Sequence, residues 1–245
     1  MSKLNSQSSV GEWVADRPRR AEVLERLGID YCCGGRESLE AACLSRNYDP
    51  EEIGRVLLAA GGEPPAPESD WGRRGLDELC DHIEQTHHAY LRDALPRLAG
   101  LVGKVAAAHG ERHPAYRELA AQYPAFQAEL EAHMLKEERV LFPAIRALAA
   151  APDAPPSFHC GDLSKPLSVM ESEHESAGEA LRNFRALTDD YRAPADACGT
   201  LLALLDGLTV LEADLHLHIH KENNLLFPRT RARLHSAQAT GAPQG

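Results

Sequence analysis

Apolar residues recur with a helical period along most of the chain, and prolines and glycines interrupt that period at a few places. From about residue 75 onward the pattern predicts four principal helices, at roughly 75–108, 124–149, 164–188 and 195–233. Prolines mark the three breaks between them, at 109–114, 150–164 and 189–195. Helices of this length need partners for their apolar stripes, so the region predicts a four-helix bundle.

The first sixty residues predict a separate group of short helices. Asp16 and Gly28 stand where an N-cap and a C-terminal glycine would enclose one short apolar run. Asp49 and Gly61 enclose another run in the same order, and a further helix is expected at 38–47. These runs are too short to join the bundle helices, so they indicate a small domain of their own.

A stretch rich in proline and glycine marks the boundary between the two regions. We therefore expect a small helical N-terminal domain at 1–60, a linker at 61–70, a helical bundle at 71–235 and a flexible tail at 236–245. The predicted fold class is all-α.

Composition and charge narrow the classes of function. Aromatic residues make up 5% of the chain and the net charge is −11, which favours helices and argues against nucleic-acid or anionic membrane surfaces. No secretory signal is visible, and no apolar run approaches the roughly 20 residues that span a bilayer. The six cysteines include no C-x-x-C pair. A cytoplasmic protein without a membrane or nucleic-acid partner is expected.

An internal repeat relates the two halves of the predicted bundle. Segments 133–143 and 218–228 align without gaps and share His, Lys, Glu, Leu, Phe and Pro at equivalent positions. His88 and His174, in the first and third predicted helices, precede the starts of these segments by 45 and 44 residues. The bundle is therefore predicted to be a duplicated helical hairpin with a pseudo-two-fold axis.

The duplication predicts a buried metal site. In each H-x-x-x-E motif the carboxylate lies one turn after the imidazole, so both side chains occupy the same helix face. Together the two halves supply four imidazoles and two carboxylates, from His88, His133, Glu137, His174, His218 and Glu222. This set fits two first-row metal ions with both carboxylates bridging, and it contains no thiolate for zinc or an iron-sulfur cluster. The alternative is a solvated helix face without metal.

Three motifs carry a resemblance to a known family. Asp30-Tyr31-Cys32-Cys33-Gly34-Gly35 lies in the N-terminal domain, Met170-Glu171-Ser172-Glu173-His174 opens the third helix, and Glu222-Asn223-Asn224-Leu225-Leu226-Phe227-Pro228 closes the fourth. The bundle resembles hemerythrin-like proteins. Nearly the whole chain resembles the iron-sulfur cluster repair di-iron proteins of the RIC family (YtfE/ScdA type), apart from the tail after Arg233 and the loop at 152–163.

The resemblance implies a fold and a cofactor. The fold is a hemerythrin-like up-down four-helix bundle preceded by a small helical domain. The cofactor is an oxo- and carboxylate-bridged centre of two non-haem iron ions, held by the six residues that the repeat selects. The resemblance also implies that Glu129 and Glu173 support the metals or relay protons, and that Cys32 and Cys33 act as functional thiols. For these four residues, surface charge or a structural role is the alternative.

The remaining histidines and cysteines have no predicted metal role. His87 points about 100° away from His88 on a helix, and His109 matches a family histidine but equally fits a loop or core position. The histidines at i−2 and i+2 from His218, namely His216 and His220, are expected to face solvent. Small apolar filler is the expected role of Cys43, Cys80, Cys198 and Cys160, with Cys160 beside His159 as the one candidate for reactivity.

The resemblance also implies a biological role. It indicates a stress-response protein that restores iron-sulfur clusters damaged by nitric oxide or oxidants, with damaged or apo iron-sulfur proteins as partners and nitric oxide or dioxygen as small ligands. Iron donation and nitric oxide handling both suit a labile site. A nitric oxide or dioxygen sensor or carrier, a nitric oxide reductase and a purely structural bundle are the alternatives. The sequence leaves open whether the chain is an enzyme and whether it forms a homodimer.

Overall fold

The structure, a computed structural model, describes residues 4–62, 70–151 and 163–240, with side chains described as far as residue 236. All regular elements in these ranges are helical, and one isolated β-bridge joins Ser9 and Ser38. The all-α prediction is therefore confirmed. Most of the predicted linker, the loop that contains Cys160 and the end of the predicted tail lie outside the described residues. None of the described helices is long and apolar enough to cross a membrane.

The N-terminal region begins with a helix that the sequence did not predict. They are α1 (Val10–Asp16), a short 3-10 helix (Pro18–Arg20), α2 (Ala21–Arg26), α3 (Leu39–Leu44) and α4 (Pro50–Ala60). Ser9 and Glu12 form a capping box that begins α1, so Asp16 ends a helix and its prediction as an N-cap is wrong. The predicted N-cap Asp49 is confirmed, because its side chain accepts a hydrogen bond from the N–H of Glu51.

Several of the later helices have more than 20 residues, and π-helical turns join some of them without a break. They are α5 (Leu76–Ile83), α6 (Ala89–His109), α7 (Ala115–Lys136), α8 (Phe142–Ala150), α9 (Ser164–Leu187), α10 (Gly199–His220) and α11 (Phe227–Thr240). The second bundle helix starts at Ala115 rather than near 124, because Tyr116, Leu119 and Tyr123 carry the buried stripe up to Pro124. Glu84–His88, Glu137–Leu141 and Lys221–Leu226 are π-helical turns between α5 and α6, α7 and α8, and α10 and α11.

The described contacts divide the chain into two units, and the second comprises His82–Pro143 and Ser168–Leu215. In this unit α6 and α7 run antiparallel, as two contacts show. The Tyr123 hydroxyl in α7 donates a hydrogen bond to the carbonyl of Leu95 in α6. Glu138, just after the end of α7, lies against His88, just before the start of α6. Pairs of contacts at opposite ends of the helices show in the same way that α9 runs antiparallel to α7 and that α10 runs antiparallel to α6. Neighbouring helices therefore run up and down, as predicted.

The first unit comprises Met1–Asp81, Ala144–Leu167 and His216–Gly245. In it the loop after α2 lies against the π-helical turn Lys221–Leu226. The side-chain amide of Asn224 donates to the carbonyls of Tyr31 and Cys32, both at 3.1 Å. A Cβ atom at Gly35 would lie 2.3 Å from Oδ1 of Asn224, so this approach requires glycine. The paired cysteines are thus held at a helical turn that also carries Glu222.

Candidate metal centre

Glu137 lies at the start of a π-helical turn and is completely buried. Its Oε1 atom is 3.3 Å from Nε2 of His133, one turn earlier on α7, and its Oε2 atom is 3.3 Å from Nε2 of His88. The two oxygens of one carboxylate therefore face two imidazoles from different helices. This is the arrangement that lets a carboxylate bridge two cations.

His174 approaches His133 from α9. Both rings are buried, and their Nε2 atoms lie 3.0 Å apart. A cation would accept both nitrogen lone pairs, whereas without one the contact needs a proton on one ring.

His218 and Glu222 repeat the same local geometry at the end of α10. The Nε2 atom of His218 lies 3.2 Å from Oε1 of Glu222, and both side chains are completely buried. Glu222, like Glu137, lies within a π-helical turn. Such turns are rare inserts in α-helices and are frequent at functional sites.

The ligand atoms form two groups, in each of which they all lie within 4.8 Å of one another. The groups are His88, Glu137, His218 and Glu222, and His133, Glu137, His174 and Glu222. Both carboxylates belong to both groups, and each group adds two imidazoles of its own. The internal repeat maps one group onto the other, because it pairs His88 with His174 and His218 with His133.

The donor set fits metal cations. Two buried carboxylates place negative charge where water is excluded, and an uncompensated buried charge costs several kcal/mol. Neutral imidazoles do not supply the missing positive charge, whereas a first-row divalent cation does and accepts both nitrogen and oxygen ligands. The side chains selected from the internal repeat are thus brought together in surroundings that suit a cation.

Two outer carboxylates orient the imidazoles. Glu138 Oε1 lies 2.7 Å from Nδ1 of His88, and Glu173 Oε2 lies 2.8 Å from Nδ1 of His133. A hydrogen bond at Nδ1 fixes the tautomer and leaves the Nε2 lone pair for a metal. Glu173 had been expected near the site, but Glu138 had not. The repeat holds no signal for Glu138, because Asn223 occupies the equivalent position in the second half.

Each outer carboxylate also bonds to a cationic side chain. Lys136 donates to Glu173 and Arg92 donates to Glu138. Partial burial alone would raise the pKa of Glu173, but the hydrogen bonds from Lys136 and His133 outweigh it and lower the pKa below its usual value. Glu173 therefore stays ionised and accepts a hydrogen bond from the Nδ1–H group of His133.

Other candidate residues lie elsewhere. Glu129 is exposed on α7 and is absent from both groups. His87 is buried, but its Nδ1 atom lies 2.9 Å from Oδ1 of Asp214, which agrees with its expected direction away from His88. His216 is half-buried, with its Nδ1 atom 3.8 Å from a carboxylate oxygen of Glu25.

His220 differs from its prediction as a solvent-facing residue. It is buried, and its Nδ1 atom lies 3.3 Å from the carbonyl oxygen of Tyr31. Burial lowers the pKa of His220 to about 4. The prediction was wrong because the loop at Tyr31 covers this face of α10, a contact between residues far apart in the sequence.

The paired thiols occupy a tight turn. Oδ1 of Asp30 accepts hydrogen bonds from the backbone N–H groups of Cys32 and Cys33, at 2.9 and 3.0 Å. The two sulfurs lie 3.9 Å apart, both are free thiols, and together with Asp30 they form a third group of potential ligands. The hydrogen bond to Cys33 and burial raise the pKa of Cys32, so its proton is retained at neutral pH.

The cysteines predicted as apolar fillers differ among themselves. Cys43 and Cys80 are buried, as predicted. Cys198 is exposed and touches His109, so its prediction as a filler is wrong. Cys160 lies outside the described residues.

Comparison with known proteins places this geometry in a family. Residues 79–230 match the hemerythrin HHE cation binding domain, and residues 6–60 match ScdA_N, a domain of unknown function (DUF542). The chain is 37% identical to the iron-sulfur cluster repair protein YtfE of Musicola paradisiaca, over 91% of this chain and 96% of that protein. This chain belongs to the YtfE family. The predicted family is thereby confirmed.

Other members of the YtfE family match over a similar length. The chain is 38% identical to the YtfE protein of an Enterobacter species over 91% of its own length and 96% of that protein, and 38% identical to that of Edwardsiella ictaluri over 90% and 95%. In this YtfE-family chain, the hemerythrin match contains all six buried histidine and glutamate residues of the two groups. The bundle is therefore a hemerythrin-like cation-binding domain.

Proposed function

We propose that this chain holds two non-haem iron ions in its hemerythrin-like domain and helps to restore iron-sulfur clusters damaged by nitrosative or oxidative stress. The observation that carries the proposal is the Glu137 carboxylate, which directs one oxygen to His88 and the other to His133. A single cation would not need both carboxylates to be shared between two imidazole pairs. The relatives that match over nine-tenths of the chain are named iron-sulfur cluster repair proteins.

The proposed ligands are the six residues of the two groups, with Glu137 and Glu222 bridging. Bound iron would supply accessible ferrous and ferric states and open positions for a small ligand such as nitric oxide or dioxygen. The chain's own contribution is orientation. Glu138 and Glu173 hold the protons of His88 and His133 at Nδ1, and the buried surroundings exclude water from the ligand atoms.

The paired thiols support a role in handing iron to a client. Asn224 fixes their loop against the turn that carries the proposed ligand Glu222. Cys33 is the more exposed of the two, whereas Cys32 is buried and keeps its proton. We propose that Cys33 makes the outward contact with a damaged or apo iron-sulfur protein and that Cys32 holds the turn. A cytoplasmic location stays part of this proposal.

Metal analysis of the anaerobically purified chain, before and after addition of an apo iron-sulfur protein, tests the function. We expect about two iron ions per chain and transfer of iron to the acceptor with recovery of its cluster. The variant H133A/H218A should lose the iron, and the exposed-residue variant E129Q should retain it. One zinc ion or no metal would contradict the di-iron proposal. Iron that forms a reversible nitrosyl adduct and never leaves would contradict repair by donation and favour a sensor.

A further inference from the structure

Cys198 and His109 form a second chemical feature within the unit that contains α6 and α10. Cys198 directly precedes α10 and is exposed, whereas His109 is the last residue of α6 and is buried. The sulfur of Cys198 lies 3.1 Å from Nε2 of His109. The pair lies at the opposite end of α6 from His88, so it is independent of the proposed iron ligands.

The sulfur also lies at a helix N-terminus. The carbonyl of Cys198 accepts the first hydrogen bond of α10, from the N–H of Leu202 at 3.0 Å, which makes Cys198 the N-cap of a helix of 22 residues. The backbone N–H groups of Thr200 and Leu201, in the first turn of α10, favour the charged sulfur and lower its pKa. Partial positive charge at a helix N-terminus favours a thiolate over a thiol.

The Nε2 atom of His109 is the ring nitrogen that faces the sulfur. Its side chain is 3% exposed, and among the described residues its Nδ1 atom has no hydrogen-bond partner. A proton on Nδ1 would be a buried N–H without an acceptor, so the proton lies on Nε2 and is donated to Cys198. The sulfur therefore accepts a hydrogen bond from His109. This bond is the largest cause, and the N–H groups at the start of α10 are a further cause, of the fall in the pKa of Cys198 to about 7.

Other charged groups nearby are paired with one another. Asp196 Oδ1 lies 3.0 Å from Nε2 of His113, and Oδ2 lies 3.3 Å from Nε of Arg112. Tyr116 packs against the rings of both histidines, 109 and 113, and its pKa is raised by burial. The negative charge of Asp196 is thus matched locally, and the thiolate of Cys198 retains its donors.

We propose that Cys198 is a modification site that forms mixed disulfides with small-molecule disulfides such as glutathione disulfide. The thiolate sulfur attacks one sulfur of the disulfide, a new S–S bond forms as the old one breaks, and the second sulfur leaves as a thiolate with the bonding electron pair. Cys198 is oxidised and the leaving sulfur is reduced, so no metal or further oxidant is required. The raised pKa values of Cys32 and Cys43 disfavour the same reaction there.

The test is the rate of mixed-disulfide formation at each cysteine of the full, iron-loaded chain with glutathione disulfide. Mass spectrometry of proteolytic peptides follows each site separately, from about pH 5 to pH 10. We expect Cys198 to react first, with a rate that rises around pH 7. A midpoint at or above about 8.5, the value of an ordinary thiol, would overturn the proposal, as would faster modification of Cys33.

Two matched variants distinguish the effect of His109 on the reaction rate of Cys198 from the effect of the nearby His113. We expect H109Q to lower the rate at pH 7 by about threefold to tenfold and to raise it near pH 10, because a more basic thiolate is scarcer at neutral pH but more nucleophilic. H113Q, which changes a histidine that does not touch the sulfur, should leave both rates within about twofold. Equal effects of the two variants would overturn the role of His109. If H109Q does not fold, the pH midpoint of the unchanged chain decides alone.

Discussion

Nδ1 of His88 lies 2.7 Å from a carboxylate oxygen of Glu138, and Nδ1 of His133 lies 2.8 Å from one of Glu173. The two outer carboxylates come from different positions in the repeat, since Glu138 follows Glu137 and Glu173 precedes His174. Both nevertheless place the proton of an imidazole on Nδ1 and leave Nε2 facing the cluster. Orientation of the rings therefore depends on residues that bind no metal themselves.

We predict that E138Q and E173Q each weaken metal binding by about 10-fold to 100-fold, because a neutral amide orients the imidazole less firmly than a carboxylate and makes it less basic. Competition with a chelator of known affinity measures the loss. The control E129Q changes an exposed glutamate one turn before His133 and should bind metal normally. Equal affinities for E129Q and E173Q would show that the hydrogen bond to His133 has no effect on the site.

Substitution of a ligand that belongs to both groups should remove more metal ions than substitution of a ligand that belongs to one group. Glu137 belongs to both groups of ligand atoms, whereas His88 belongs to one. We predict that E137A loses both ions, and that H88A keeps about one, held by the group that contains His133 and His174. Metal analysis after gel filtration measures the ratio. Loss of both ions from H88A, in a variant that remains folded, would contradict two separable positions.

The sequence predicted those features of the site that depend on local helix geometry. The H-x-x-x-E spacing and its duplication establish which side chains share a helix face, and the structure brings those side chains together. Glu138 was missed because on a helix it points about 100° away from Glu137, and because its partner His88 lies 50 residues away in the sequence. Contacts such as Cys198 with His109 join residues 89 apart, and no periodicity reveals them.

The close approach of the cysteine loop to Asn224 predicts a sharp difference between two glycines. A Cβ atom at Gly35 would lie 2.5 Å from the carbonyl oxygen of Tyr31 and closer still to Asn224, whereas at Gly54, inside α4, the nearest atom is a Leu39 methyl at 3.9 Å. We predict that G35A lowers the free energy of unfolding by about 1–3 kcal/mol, and that G54A raises it by about 0.5–1 kcal/mol. Chemical denaturation measures both.

The G35A substitution should also change the exposure of the Cys32 thiol. If G35A lifts the loop from the Lys221–Leu226 turn, Cys32 loses its burial and should react faster with an alkylating reagent. G54A should leave that rate unchanged. Destabilisation by G35A with Cys32 still protected would mean that the loop stays in place and that the strain is absorbed elsewhere.

Glu212 is a buried carboxylate on α10 that lies outside the two ligand groups and joins α10 to the end of α9. Its Oε1 atom accepts hydrogen bonds from Nε and Nη2 of Arg185, at 3.0 and 2.9 Å, and its Oε2 atom accepts one from the hydroxyl of Tyr191. Tyr191 ends a run of three residues with positive φ, Asp189 to Tyr191, so these contacts hold a strained turn in place.

We predict that E212Q lowers the free energy of unfolding by about 1–3 kcal/mol, because an amide retains the shape but loses the charge that pairs with Arg185. The loss stays below that of a fully buried pair, since the Arg185 side chain is 41% exposed. A double-mutant cycle with R185M isolates the pair: a coupling near zero would mean that Glu212 acts through Tyr191 alone. Metal content should not change in either variant, because both residues lie outside the two ligand groups.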